Sequence, residues 1–157
     1  MKEQFTQRLK KIEDVLTKKL PENFSSNWQW GIFNTSPNQE FSQNEIEKLV
    51  KPCRELLSLG GKRWRPLLQV LCAEYVILNK NATEAENQIN LENAYNLVPL
   101  VEFVHTASLI HDDIEDGADT RRGKPAAHIT YGVDVAINAG SWLYFAAPEV
   151  LETLPLD

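Results

Sequence analysis

The spacing of apolar residues follows the period of an α-helix along most of the chain. Near the N-terminus one helix face carries an apolar residue every three or four positions: Phe5, Leu9, Ile12 and Leu16. Pro21 is expected to end that helix. Residues 21–41 are rich in Pro, Asn and Ser, and they predict a loop held by its aromatic side chains.

Two further helices are bounded by recognisable start and stop residues. Ser42 and Glu45 form a capping-box pattern, so they predict a helix start, and the apolar face that follows continues to the stop at residues 60–61. Pro66 suits the first turn of the next helix, which is predicted to run to Leu78.

The second half of the chain predicts two more helices. Residues 79–88 read as a polar connection, followed by one long helix from about residue 90 to about residue 116 with a kink at Pro99. A charged loop spans residues 117–125, and a last helix is expected over residues 134–147. No alternating strand pattern occurs, so the predicted fold class is all-α, a bundle of helices packed face to face.

Length, charge and cysteine content exclude several classes of protein. The 157 residues suit one domain, and the net charge of −6 disfavours nucleic-acid binding. Cys53 and Cys72 lack metal-ligand spacing and lie in apolar contexts, so both are expected to be buried free thiols. No signal peptide or membrane-spanning run is apparent, and cytoplasmic residence is the default expectation.

The predicted long helix ends in a dense cluster of acidic residues at positions 112–116. Asp112 and Asp116 are four residues apart, so they lie on one helix face about 6 Å apart along the axis. Carboxylates are unfavourable at a helix C-terminus unless a cation is present. Because Mg²⁺ is commonly held by one or two carboxylates together with substrate phosphates, these two residues are candidate magnesium ligands, whereas Asp113 points elsewhere and is expected to support them.

Basic residues stand on either side of this acidic cluster. Residues 60–66 place three cations after two glycines and before a helix start, which is a favourable arrangement for binding a diphosphate. Arg121 and Arg122 follow the acidic cluster closely enough to fold back over a bound metal. Taken alone, residues 60–66 are equally compatible with a solvated basic turn. Arg121 and Arg122, taken alone, are better explained as simple balancing of the acidic charge.

Together, residues 60–66, 105–116 and 121–125 resemble the motifs of the trans-isoprenyl diphosphate synthases, also called the polyprenyl synthetase family. The resemblance extends over about residues 55–145. It implies the N-terminal portion of the isoprenoid synthase fold, with residues 1–157 forming a single partial domain. Within it, residues 1–41 would form an N-terminal helix and aromatic loop, and residues 42–147 the helical core that carries the motifs.

The resemblance implies roles for particular residues. One set would hold the diphosphate of isopentenyl diphosphate: Lys62, Arg65, His105 and Arg122. Arg121 would contact the allylic diphosphate, and Asp112 and Asp116 would bind Mg²⁺ on it. No catalytic residue is assigned beyond these ligands. The implied reaction condenses isopentenyl diphosphate with an allylic diphosphate.

The resemblance also implies a homodimer and a subunit about twice as long, with a second aspartate-rich motif that this sequence lacks. The chain is therefore expected to be inactive alone. The small residues Ala107 and Ser108 before the acidic cluster imply a product of geranylgeranyl length or longer. Two alternatives are a non-catalytic partner subunit, which the intact motifs disfavour, and a class I terpene cyclase, which has no need of residues 60–66.

Overall fold

The computed structural model describes residues 2–33 and 41–154. In these ranges the chain forms eight α-helices, one two-stranded hairpin and a closing 3-10 helix. In chain order, the elements are α1 (Lys2–Lys19), α2 (Ser26–Phe33), α3 (Gln43–Ser58), α4 (Trp64–Leu78), α5 (Glu84–Asn96), α6 (Val98–Glu115), β1 (Thr120–Arg121), β2 (Lys124–Pro125), α7 (Ala127–Tyr131), α8 (Val133–Ala146) and the 3-10 helix Pro148–Thr153. The all-α prediction is confirmed.

Helix α6 is the centre of the bundle, and it packs against α1, α3, α4, α5, α7 and α8. Its residues Phe103, Ala107 and Ile110 are fully buried. The facing side of α8 presents Ala136 and Ala139, whose small side chains let the two helices approach closely. This contact holds the acidic end of α6 in a fixed position against α8.

Several helix boundaries agree with the sequence prediction. Ser42 caps α3, with its hydroxyl accepting from the Glu45 backbone N–H while the Glu45 carboxylate accepts from the backbone of Ser42. Helix α3 ends just before Gly60, which has a positive φ of 72°. Helix α4 includes Pro66 in its first turn, and α8 lies within one residue of its predicted bounds.

Other boundaries were predicted wrongly. The segment 21–41 contains helix α2, although its residues 34–40 lie outside the described part of the chain. The single long helix is two helices that meet at Leu97, so Pro99 lies in the first turn of α6, where its missing N–H costs nothing. Thr83 caps α5 with a second capping box, inside the stretch predicted to be a connection.

The cysteine prediction is half right. Cys53 is fully buried and its thiol lies 3.2 Å from the carbonyl oxygen of Ala139. Cys72 is exposed on α4. It belongs to a face of α4 on which several large apolar side chains are also exposed: Leu68, Leu71, Tyr75, Val76 and Leu78. In the described ranges, no helix combines the length and the hydropathy needed to span a membrane.

Candidate functional site

Three segments distant in sequence meet around one polar cavity of about 250 Å³. They are the turn before α4, the middle of α6 and the turn of the β1–β2 hairpin. The lining residues are Gly61, Lys62, Arg63, Trp64, Arg65, Glu102, His105 and Arg122. All four residues predicted to hold one diphosphate are therefore brought together at this cavity.

Arg65 and His105 form one wall of the cavity. Arg65 lies in the first turn of α4, where its guanidinium stacks over the Trp64 ring at 4.5 Å and its Nη1 lies 3.2 Å from Nε2 of His105. Burial, followed by the charge of Arg65, lowers the pKa of His105 below its ordinary value. An anion in the cavity would oppose both effects and favour the protonated imidazole.

Arg122 reaches the cavity from a strained turn. Arg121 pairs with Lys124 across the hairpin, and the two residues between them, Arg122 and Gly123, have φ of 53° and 77°. Positive φ at both central residues is required by a type I′ turn, in which Asn, Asp or Gly is usual and a long side chain is costly. Burial and the charge of Arg63 lower the pKa of Arg122.

Gly61 allows the Arg122 side chain to lie against the turn before α4. A Cβ atom at Gly61 would come within 3.2 Å of the Arg122 guanidinium, and the Gly61 φ of 156° also disfavours a side chain. The Arg122 Nη1 donates to the carbonyl oxygen of Leu56 at 3.4 Å. Gly61 thus provides the close approach, whereas a Cβ atom at Gly60 would meet nothing within 4 Å.

Arg63 behaves differently from the cations on either side of it. Its side chain is 2% exposed, and although Arg63 belongs to the cavity lining, its guanidinium is bound to the carboxylates of Glu13 and Glu102. The sequence does not separate Arg63 from Lys62 and Arg65, because all three belong to one basic run. Glu13 and Glu102 were also missed, since each is a single acidic residue within a helix and carries no recognisable motif.

The acidic end of α6 separates into two kinds of carboxylate. Asp112 and Asp116 are exposed, and in the described ranges no side chain forms a hydrogen bond or ion pair with either of them. Asp113 is 1% exposed, and its Oδ1 accepts from Nε of Arg121 at 2.8 Å and from Nη2 of Arg121. The hydrogen bond to Asp113 raises the pKa of Arg121.

The two free carboxylates suit a hydrated Mg²⁺. Among the described residues, no group of three or more His, Cys, Asp or Glu side chains is arranged to hold a metal ion. Two exposed oxygen ligands one turn apart nevertheless fit an ion that keeps several waters and takes its other ligands from phosphates.

The orientation of this acidic turn depends on a close contact with α8. Nε2 of His111 lies 3.3 Å from the carbonyl oxygen of Ile137, and its ring packs beside Tyr144. A Cβ atom at Gly140 would lie only 2.8 Å from Nε2 of His111. Gly140 is therefore needed where the imidazole passes over α8.

The two small residues before the acidic turn lie in different surroundings. Ala107 is fully buried in the core, which corrects the expectation that it borders open space for a growing chain. Ser108 is half-buried, and its hydroxyl donates to the carbonyl oxygen of His105 at 2.8 Å. Of the two residues, only Ser108 is partly exposed.

Comparisons with known proteins agree on one family. A sequence profile described as polyprenyl synthetase matches residues 46–156. The geranylgeranyl diphosphate synthase of Methanosarcina mazei is 43% identical over 105 residues, covering 67% of this chain and 29% of that protein. The geranylfarnesyl diphosphate synthase of Aeropyrum pernix is 45% identical over 108 residues, covering 69% of this chain and 31% of that protein.

Solved structures give the same result for the fold. The geranylgeranyl pyrophosphate synthetase of the archaeon Geoglobus acetivorans superposes with a TM-score of 0.67 at 28% identity, covering 98% of this chain and 40% of that one. The matched segments cover less than a third of each of the two curated relatives, and this chain therefore spans well under two thirds of their length.

Proposed function

The chain belongs to the polyprenyl synthetase family, and from that membership we propose that it carries the isopentenyl diphosphate site and one magnesium-binding wall of a trans-prenyltransferase. The observation that carries the proposal is the cavity at which Lys62, Arg65, His105 and Arg122 meet. Four groups able to bind phosphate oxygens converge there from three segments, and such convergence is typical of a built anion site.

The proposed reaction joins isopentenyl diphosphate to an allylic diphosphate. The bond between the allylic carbon and its diphosphate breaks, a new carbon–carbon bond forms, and a proton leaves the product. Arg121 would contact the allylic diphosphate, and Asp112 and Asp116 would hold Mg²⁺ against it. When bound, the ion would neutralise the charge that develops on the leaving group.

The side chains of this chain have separate tasks in that reaction. Lys62, Arg65 and Arg122 would bind and orient the diphosphate of the attacking substrate, with His105 donating once protonated. Asp113 would hold Arg121 in place, because the guanidinium is already bound to its buried carboxylate. The apolar side chains of α6 below the acidic turn would exclude water from the reacting carbons.

We propose a product of geranylgeranyl length or longer, supported by the small Ser108 one turn before Asp112 and by relatives named as geranylgeranyl and geranylfarnesyl diphosphate synthases. We further propose that residues 1–157 are one partial domain and show no turnover alone. The single wall of two carboxylates and the share of the relatives' length that the chain spans both support this. A radiolabel assay with both substrates and Mg²⁺ tests it.

We also propose that the chain forms a homodimer. Large exposed apolar side chains on α4, together with Ile137 and Phe145 on α8, support this because apolar patches of this kind favour association. Sedimentation at micromolar concentration measures the mass directly, and a monomer would contradict the proposal. We also propose that the protein resides in the cytoplasm, and cell fractionation tests this.

Calorimetric titration of the chain with isopentenyl diphosphate tests the central proposal. Lys62→Ala is expected to weaken binding by about tenfold or more, the loss of one charge-assisted contact. Lys80→Ala is the matched control, since both lysines are exposed and they lie just outside opposite ends of α4. Equal affinity of the two variants for isopentenyl diphosphate would contradict the assignment of this cavity as the binding site.

A further inference from the structure

We propose that Arg63 supports the diphosphate site without binding the diphosphate, by masking the negative charge of Glu102 in the cavity wall. The inference rests on the proposed function, because it assigns how that site is kept positive. Arg63 itself would not touch the diphosphate. Its sequence context suggests the opposite role, since it lies between two of the proposed ligands.

The guanidinium of Arg63 is bound by side-chain and backbone groups of three helices. Its Nη1 donates to Oε1 of Glu102 at 2.6 Å, its Nε donates to Oε1 of Glu13 at 2.7 Å, and its Nη2 donates to the carbonyl oxygen of Leu57 at 2.6 Å. These partners belong to α6, α1 and the end of α3. One side chain thus joins three helices directly beneath the turn before α4.

The backbone of Arg63 is also strained, with φ of 46° and ψ of 31°. Left-handed backbone costs a non-glycine residue about 1–2 kcal/mol. In the described ranges, Arg63 and Arg122 are the non-glycine residues with positive φ, and both line the same cavity. The buried fork lies at this strained turn, between Lys62 and Arg65 in the sequence, and both of those residues also line the cavity.

Glu102 makes the charge of Arg63 necessary. It is 2% exposed, lines the cavity, and its Oε2 has no hydrogen-bond donor among the described residues. Burial alone would lower the pKa of Arg63, but the carboxylates of Glu13 and Glu102 outweigh it and raise that pKa. The Arg63–Glu102 pair is neutral by itself, and Glu13, the second carboxylate bound to Arg63, is 46% exposed to solvent, so the exposed cations set the sign of the cavity.

Removal of Arg63 would strand that carboxylate beside the bound anion. At a separation of about 8–10 Å, an unmasked carboxylate repels each negative charge of a diphosphate by about 1.5–2 kcal/mol at an effective dielectric constant near 20. The affinity of the site should then fall although no direct ligand has been lost. Removal of the stranded charge should restore it, whereas a side chain that only holds the fold together would show no such rescue.

The test is a double-variant cycle with inorganic pyrophosphate as the probe, titrated into the full chain by calorimetry. Arg63→Met is expected to weaken binding about tenfold, and Arg63→Met combined with Glu102→Gln to return to within about threefold of the unmodified chain. Glu102→Gln alone is expected to bind as tightly or more tightly, because it unmasks Arg63 while keeping an oxygen acceptor. Arg63→Lys keeps the charge and is expected to lose less affinity than Arg63→Met.

Each outcome decides the inference. Weaker binding in Glu102→Gln, or no recovery in the double variant, would show that the pair acts only as scaffolding and would overturn the proposal. If Arg63→Met does not fold, as judged by circular dichroism, Glu102→Gln and Arg63→Lys give the same decision. Loss of binding in Lys62→Ala with no effect of the Arg63 variants would leave the proposed function standing, whereas no pyrophosphate binding by the unmodified chain would overturn both.

Discussion

Arg121 forms two hydrogen bonds to a single oxygen of Asp113, which is buried although the acidic residues around it are exposed. The pair ties the β1–β2 hairpin to the last turn of α6. Asp113→Asn is expected to lower the free energy of unfolding by about 1–3 kcal/mol, because it weakens a charge-assisted contact and leaves Arg121 without its counter-charge. Urea denaturation measures the change.

Asp112→Asn is the control for this experiment. Asp112 is the adjacent residue, it carries the same charge, and its side chain has no partner in the described ranges. The free energy of unfolding of the Asp112→Asn variant should change by less than about 0.5 kcal/mol. Equal destabilisation in both variants would contradict a structural role confined to Asp113.

The opposite ranking is expected for magnesium. Asp112→Ala or Asp116→Ala should weaken the Mg²⁺-dependent binding of an allylic diphosphate by about tenfold or more. In a preparation of the complete enzyme, either substitution should reduce turnover by orders of magnitude. Titrations with Mg²⁺ and with EDTA isolate the metal-dependent part. Asp14→Ala, which removes an exposed carboxylate from α1, should leave that part unchanged. Normal metal dependence in both α6 variants would remove them as ligands.

Gly140→Ala is expected to destabilise the chain by about 1–3 kcal/mol through overpacking against His111. The added methyl group would meet the imidazole at 2.8 Å, and the imidazole is held between Ile137 and Tyr144. Gly31→Ala is the helical control, because a Cβ atom there meets nothing within 4 Å. It should gain about 0.5–1 kcal/mol from helix propensity. Thermal denaturation of both variants compares them, and equal shifts would exclude the contact.

Acidification should destabilise the chain partly through His105. Burial and Arg65 lower its pKa in the folded state, so the unfolded chain binds more protons as the pH falls below the ordinary value of 6.5. The contribution of His105 is therefore present above that pH and is lost below it. Urea midpoints between about pH 7.5 and 5 should fall less steeply in His105→Gln. Parallel curves for the two chains would contradict this.

Product length should respond to position 108 and not to position 107. Ser108→Phe, assayed in an active preparation, is expected to shorten the main product by filling space one helical turn before the acidic residues. Ala107→Phe should instead cost about 1–3 kcal/mol of stability, because Ala107 is enclosed in the core. Chromatography of the products and urea denaturation of both variants separate the two effects. An unchanged product from Ser108→Phe would contradict the proposal that the small side chain of Ser108 determines product length.

The position of a helix could be predicted from the sequence wherever the spacing of apolar residues and the capping residues agreed. The Ser42–Glu45 box preceded a clear apolar face, and α3 begins there. The Thr83–Glu86 box preceded a polar run, so the first half of α5 was missed. Helix α2 lacks a periodic face. It is held by tertiary contacts, including the Trp28 Nε1 hydrogen bond to the carbonyl oxygen of Lys19. Such contacts with distant residues are not visible in a local pattern.

The site was predicted in its residue types but not in its orientations. Arg63 and Arg65 are two positions apart and look equivalent in sequence. Their directions differ because Glu13 and Glu102, distant in the chain, bind only the first of them. The local sequence shows which basic side chains could bind a diphosphate. The packing of α1 and α6, which carry Glu13 and Glu102, decides which of these side chains are not already bound to a carboxylate.

The tight turn of the hairpin has a consequence for how two anions would be spaced. Arg121 extends to Asp113 on α6, and the next residue, Arg122, extends to the end of α3 beside Gly61. Their Cα atoms are about 3.8 Å apart, joined by one rigid peptide unit. If each arginine holds one substrate, a single peptide unit connects the two residues that bind the two diphosphates. The distance between the leaving group and the attacking molecule would then depend on the directions of the two side chains, which start from this one peptide and end at Asp113 and at the carbonyl oxygen of Leu56.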